Sequence, residues 1–169
     1  MDLPSDLIDL LSAFADEQVE YLLVGGQAVA LHGVPRFTKD ADLWLRDTSE
    51  NLERAKRALD AFGAPAGTLR ALDEARGLDV VWMGHPPARI DLMKQVPGGD
   101  FEAAYSTRAT FEVSGITVCC VGKAELIAQK RASHAGSLHS VLQTPRVKPW
   151  SERPVWMSFG WGTRPLGST

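Results

Sequence analysis

Cysteine is nearly missing from this chain, which has two, the adjacent Cys119 and Cys120. Neighbours along a strand face opposite ways, so a bridge between them would be strained. Both are expected to be reduced, small and buried, as in a cytosolic protein. No stretch reaches the ~20 apolar residues of a membrane span, and the first residues lack the basic flank and apolar core of a secretory signal, so a cytoplasmic protein with no membrane partner is expected. Excess positive charge is also missing: 18 Lys and Arg against 21 Asp and Glu give a net charge of -3, which advertises no broad nucleic-acid surface. His32 has no second histidine four residues on and no cysteine close in sequence, so it reads as a helix-end histidine satisfied by backbone rather than a zinc ligand. Aspartate stops at Asp100.

The 169 residues suit one domain with a sizeable core. Charge is uneven along them. From His134 onward there are four Lys or Arg and one Glu, leaving the first 133 residues with 14 against 20 and a net charge of -6. The same boundary marks a shift to Pro, Trp, Arg, Gly and Ser, so the chain divides into a body, 1–133, and an atypical tail, 134–169. Tryptophans interleaved with Arg146, Lys148, Arg153 and Arg164 suit a single-strand stacking platform, packing onto the body, a dimer contact or a disordered tail.

The most informative stretch is Tyr21 to Leu45. An apolar strand, Tyr21 to Val24, ends on Gly25 and Gly26, a short helix follows over Gln27 to His32, and a polar loop leads to Asp40 and Asp42 at the head of a second strand. Carboxylates at i and i+2 of a strand share a face, and their repulsion is relieved by a hard divalent cation such as Mg²⁺. A strand that turns into a helix through paired glycines offers backbone N–H groups to phosphate and lets it approach closely. Gln27 stands where it can add a phosphate contact. Arg36, Thr38 and Lys39 lie just ahead of the carboxylates, either neutralising a triphosphate or forming an ordinary solvated loop. Trp44 shares the face of Asp42 and is read as a core or interface tryptophan in preference to a base-stacking one.

Elsewhere the patterns are structural. Ser5 is expected to cap a helix with Leu7, Leu10, Leu11 and Phe14 inward. Asp47 and Glu50 read as a capping box for a helix closed by Gly63. A short helix around Leu69 to Arg76, strands at Asp79 to Met83 and Arg89 to Met93, a hairpin turning at Ser114-Gly115, and a helix over Lys123 to Ala132 with Leu126 and Ile127 inward complete the reading. In Ile90-Asp91-Leu92 a carboxylate stands between apolar neighbours, where it would be costly to bury alone. Asp79 competes with it as a third carboxylate but is read as a turn cap.

The hydrophobic strand with Gly25-Gly26, thirteen residues from Gln27 to Lys39, then Asp40-x-Asp42, resembles the signature of the DNA polymerase β-like nucleotidyltransferase superfamily. The Arg36-x-Thr38-Lys39-Asp40-x-Asp42 wording resembles small bacterial members, including toxins of the AbiEii and MenT kind. The resemblance implies an α/β (α+β) fold with a mixed, mostly antiparallel twisted sheet, helices against one face and an open catalytic face. It implies catalytic and metal-binding roles for Asp40, Asp42 and Asp91 around two Mg²⁺ ions, or Mn²⁺. It further implies nucleotide contacts from Gly25, Gly26, Gln27, Arg36, Thr38, Lys39 and Lys130. The expected reaction moves an NMP from an NTP such as ATP to a hydroxyl of tRNA, protein or a small molecule, within a toxin-antitoxin system and with a cognate partner protein. Relatives continue past the last helix with aspartates that this tail does not have. That departure motivates an alternative: a catalytically idle binding module, antitoxin-like or RNA-contacting.

Overall fold

The computed structural model describes residues 3–34, 38, 40–84, 89–129 and 131. In chain order the elements are α1 (Ser5–Asp16), β1 (Tyr21–Val24), α2 (Gly25–Leu31), β2 (Asp40–Leu45), α3 (Ser49–Phe62), α4 (Ala66–Glu74), β3 (Val80–Met83), β4 (Arg89–Met93), α5 (Phe101–Ser106), β5 (Ala109–Val113) and β6 (Ile116–Cys120). Residues 123–129 are helical as well. The strands form one six-stranded sheet in the order β3-β4-β2-β1-β6-β5. Three pairings are antiparallel (β1 with β2, β3 with β4, β5 with β6), and β1 with β6 and β2 with β4 are parallel. The expected mixed, mostly antiparallel sheet flanked by helices is therefore present.

Period-2 alternation sorts the strands' side chains into two cores. Tyr21, Leu23, Leu43, Leu45, Ile90, Leu92 and Val118 pack under α1, α3 and α4. The apolar stripe of α1, Leu7, Leu10, Leu11 and Phe14, is buried there as its spacing predicts. Leu22, Val24, Trp44 and Cys120 face the other way, onto Ala28 of α2, Ala104 of α5, and Leu126. Helices thus cover parts of both faces, which corrects the expectation of helices on one face only. The reason is visible in β1, where all four residues are buried: a strand apolar on both sides needs a layer on each.

Several local expectations change. The first helix begins at Ser5 with Pro4 as its cap residue and no side-chain cap; Ser5 Oγ bonds Asp6 Oδ1 instead, at 3.3 Å. The cap of α3 is Thr48, which accepts from the Asn51 N–H at 3.3 Å, rather than Asp47. Asn51 is itself buried, accepting from Glu20 N–H and donating to the Glu20 and Arg46 carbonyls. It thereby ties α3 to the outer ends of β1 and β2. Gly63 closes α3 in the left-handed conformation, as expected. Ile127 is exposed rather than inward, whereas Leu126 packs on the second core. The short helix expected around Leu69 to Arg76 is α4, which starts earlier, at Ala66. Asp79 accepts from Arg76 N–H at 2.9 Å, so it does cap a turn, and the strand starts one residue later.

Tyr21 gives this core a pH limit. Its ring meets Phe14 edge-on at 5.6 Å, and its hydroxyl oxygen accepts from Cys119 N–H at 3.4 Å. Burial pushes the phenol well above its ordinary value. A group that is harder to ionise folded than unfolded contributes its stability fully below the unfolded pKa, about 10 for tyrosine, and loses it as pH rises beyond that. Thermal melts should therefore show stability falling above pH ~10, with Tyr21→Phe falling less steeply. Parallel curves for the two proteins would contradict this.

Candidate active site

The second face of the sheet, beside α2, carries the acidic residues. β2 and β4 run parallel in a register that sets Asp42 beside Asp91 and Asp40 beside Arg89, so all four project from one face. β4 also pairs with β3, where Trp82 lies directly opposite Asp91. Trp44 continues the same row inward, beside Met93. It is fully buried, donates its indole N–H to the Lys94 carbonyl at 3.0 Å, and meets Phe101 edge-on at 5.2 Å. Trp44 is thus the floor under the carboxylates, as a core tryptophan.

Asp91 is buried although ionisable, with its side chain 8% exposed. Its partner is Arg89, which is two residues back on the same face. Arg89 donates from Nε to Asp91 Oδ1 at 2.7 Å and from Nη2 to Oδ2 at 2.5 Å, a two-pronged contact. Its Nε also lies 3.8 Å from Asp40 Oδ1. The bond to Asp91 raises the guanidinium pKa above its ordinary value, with the nearby charges of Asp91, Asp40 and Asp42 adding to it. Sequence reasoning passed over Arg89. The signal was there, since Arg89-x-Asp91 repeats the i, i+2 logic of Asp40-x-Asp42.

The glycine turn stands against the carboxylates. Gly25 has a left-handed φ of +65°, and a Cβ built on it would lie 2.0 Å from Asp42 Oδ2. A Cβ on Gly26 would lie 2.8 Å from Thr38 Cβ and Oγ1. The chain therefore needs both glycines for its own packing: the bare backbone admits the Asp42 carboxylate and the Thr38 side chain. Thr38 Oγ1 donates to the Asp40 carbonyl at 3.1 Å, which fixes the approach to β2. Gln27 is buried in the first turn of α2. Gly25, Gly26, Thr38, Asp40, Asp42 and Asp91 are thus drawn together on adjoining elements. Arg36, Lys39, Lys130 and the tail 134–169 lie outside the described residues.

The donor chemistry suits a hard divalent ion: Asp42 and Asp91 are neighbours on adjacent strands, and Asp40 shares Arg89 with Asp91. Among the described residues, no group of three or more His, Cys, Asp or Glu side chains is gathered closely enough to hold a metal. The guanidinium of Arg89 engages both oxygens of Asp91.

The remaining candidates are structural. His32 Nε2 bonds the Val121 carbonyl at 2.7 Å, and its ring meets Phe111 edge-on, so the helix-end reading holds. Cys120 is buried in the second core and Cys119 packs against the first, on opposite faces. Burial pushes the Cys120 thiol up to about 12. No helix of the described residues is long and apolar enough to cross a membrane.

No family model matches the chain, and no curated protein sequence matches it. Solved structures do. A provisionally assigned nucleotidyltransferase from Thermotoga maritima aligns with a TM-score of 0.50 and 16% identity over 80% of this chain and 89% of its own. ANT(2″)-Ia in complex with adenylyl-2″-tobramycin aligns at 0.48 and 15% identity, over 86% of this chain and 80% of its own. The lincomycin-bound lincosamide antibiotic adenylyltransferase LnuA aligns at 0.44 and 16%, over 75% and 85%. The first of these likenesses shows a shared fold.

Proposed function

We propose that the protein is a metal-dependent nucleotidyltransferase that moves a nucleoside monophosphate from an NTP, ATP included, to a hydroxyl. The observation that carries this is the register of β2 and β4, which brings Asp42 alongside Asp91 on one face with Asp40 two residues away. Those carboxylates would hold divalent ions, Mg²⁺ or Mn²⁺, which when bound supply Lewis-acid activation of the attacking hydroxyl and charge neutralisation at the leaving pyrophosphate. The chain's own part is positional. Asp91, buried on β4, is assigned to accept a proton from the acceptor hydroxyl on the resemblance. Gly25, Gly26, Gln27 and Thr38 are assigned to the triphosphate on the resemblance, through backbone N–H groups rather than through the space beside the glycines, which Asp42 and Thr38 fill. Arg36, Lys39 and Lys130 are assigned to the triphosphate on the resemblance alone.

For the acceptor we favour a macromolecular hydroxyl, on tRNA or protein, as the toxin-like wording around Arg36 to Asp42 implies. A cytoplasmic toxin-antitoxin setting with a cognate partner belongs to the same reading. Incubating the protein with each α-labelled NTP, Mg²⁺ or Mn²⁺, and in turn total tRNA, a cell protein extract and an aminoglycoside tests it. Label should appear in the tRNA or protein fraction; label in the aminoglycoside alone would overturn the macromolecular acceptor, and label in none would overturn the activity. In that last case the departure of the tail from the acidic pattern of relatives favours the catalytically idle binding module.

A further inference from the structure

The carboxylates already have a cation, and the chain itself provides it. The two prongs of Arg89 engage both oxygens of Asp91, and its Nε approaches Asp40. These are the atoms a divalent ion would need. The two partners differ in freedom. Asp91, 8% exposed, is held by β4 with neighbours on both sides, whereas the Arg89 side chain is 38% exposed and has solvent to move into. Exchange of one cation for the other must therefore move the arginine.

We propose that Arg89 is a built-in counter-cation of the acidic site: it balances Asp91 and Asp40 when no ion is bound, and a divalent ion enters only by displacing it. The inference rests on the metal-dependent reading above. Its physical basis is that clustered carboxylates repel one another, and a charged, two-pronged hydrogen bond is strong enough to offset this. The same bond is then lost whenever metal binds, so Arg89 weakens the site's affinity for the ion. The arrangement needs an arginine. Lysine carries the charge without the planar fork and cannot engage both oxygens in the same way.

Titrating Mn²⁺ into the nucleotide-free protein, with free Mn²⁺ read by electron paramagnetic resonance, tests this without any assay of turnover. Arg89→Gln should bind about tenfold more tightly or better than the wild type, because a charge-assisted bond no longer has to break. Arg89→Lys should fall between them, and Asp91→Asn should abolish the tight site in every background. Without metal, Arg89→Gln should also melt below the wild type and recover more on adding Mn²⁺. Equal affinities in the wild type and the Arg89 variants, or weaker binding in the variants, would overturn the counter-cation role while leaving the metal site intact. Absence of an Asp91-dependent Mn²⁺ site in all of them would instead overturn the metal-dependent reading, and the counter-cation role with it. If circular dichroism shows Arg89→Gln unfolded, the comparison of Arg89→Lys with the wild type decides.

Discussion

Replacing Gly25 by alanine should destabilise the fold by about 2–5 kcal/mol, which combines about 1–2 kcal/mol for an L-residue in the left-handed region with about 1–3 kcal/mol for overpacking. The added Cβ would stand 2.0 Å from Asp42 Oδ2, at a φ of +65°. β1 pairs directly with β2 and sets Val24 beside Asp42, so the backbone yields little and relief falls to rotation of the Asp42 side chain. For a chain of this size the melting temperature should drop on the order of 10 °C. The overlap with Asp42 and the backbone strain can be separated. In the double variant Gly25→Ala/Asp42→Ala the overlap is gone and the strain stays, so stability should return in part. If the double variant is as unstable as the sum of the two single changes, Asp42 is not what the Cβ meets. A loss of less than 1 kcal/mol in Gly25→Ala would mean the turn relaxes, and that the close approach of turn and carboxylate is not a constraint on this fold.

The same contact shows what was and was not legible in the sequence. Period-2 logic places Asp40 and Asp42 on one face, which holds in the structure; Asp91, whose apolar neighbours point to a metal or a base's role, is buried with Arg89 as its partner. What period alone does not give is register. Between β2 and β4 come α3, α4 and β3, and the parallel alignment that sets Asp42 beside Asp91 is fixed by how those elements pack, not by local spacing. Paired glycines in sequence suggest room for a ligand, whereas the room at Gly25 is taken by Asp42 and at Gly26 by Thr38. A glycine's missing side chain says that something approaches; only coordinates say what.

The helix α5 was passed over entirely, although its signal is local. Asp100 follows a Gly98-Gly99 turn and accepts from the Glu102 and Ala103 N–H groups, an N-cap of the usual kind. Arg46 then joins the end of β2 to this helix through ion pairs to Glu20 and Glu102, with its guanidinium over Phe101 and Tyr105. The unbroken apolar run of β1 implies burial on both faces and so a second helical layer, to which α5 belongs. The floor beneath the acidic residues, Trp44 against Phe101, depends on that layer.

Asp42→Asn should separate activity from stability more sharply than any other single change. The amide keeps the shape of the side chain and removes one of the negative charges set on neighbouring strands. Relief of the repulsion between like charges side by side in a sheet offsets the lost attraction to Arg89, so the melting temperature should stay within a few degrees. Catalysis should fall by about three orders of magnitude, because losing an ion ligand forfeits several kcal/mol of charge stabilisation at about 1.4 kcal/mol per tenfold. The relevant comparison is label transfer by the wild type and the variant at matched, folded concentrations, with Mn²⁺ raised stepwise. Rescue at high Mn²⁺ would point to weakened ion binding, whereas an unchanged deficit would point to misplacement of the ion. Activity equal to the wild type would remove Asp42 from the chemistry. The carboxylate against Gly25 would then be a packing feature of the turn, and the nucleotide would have to be held elsewhere.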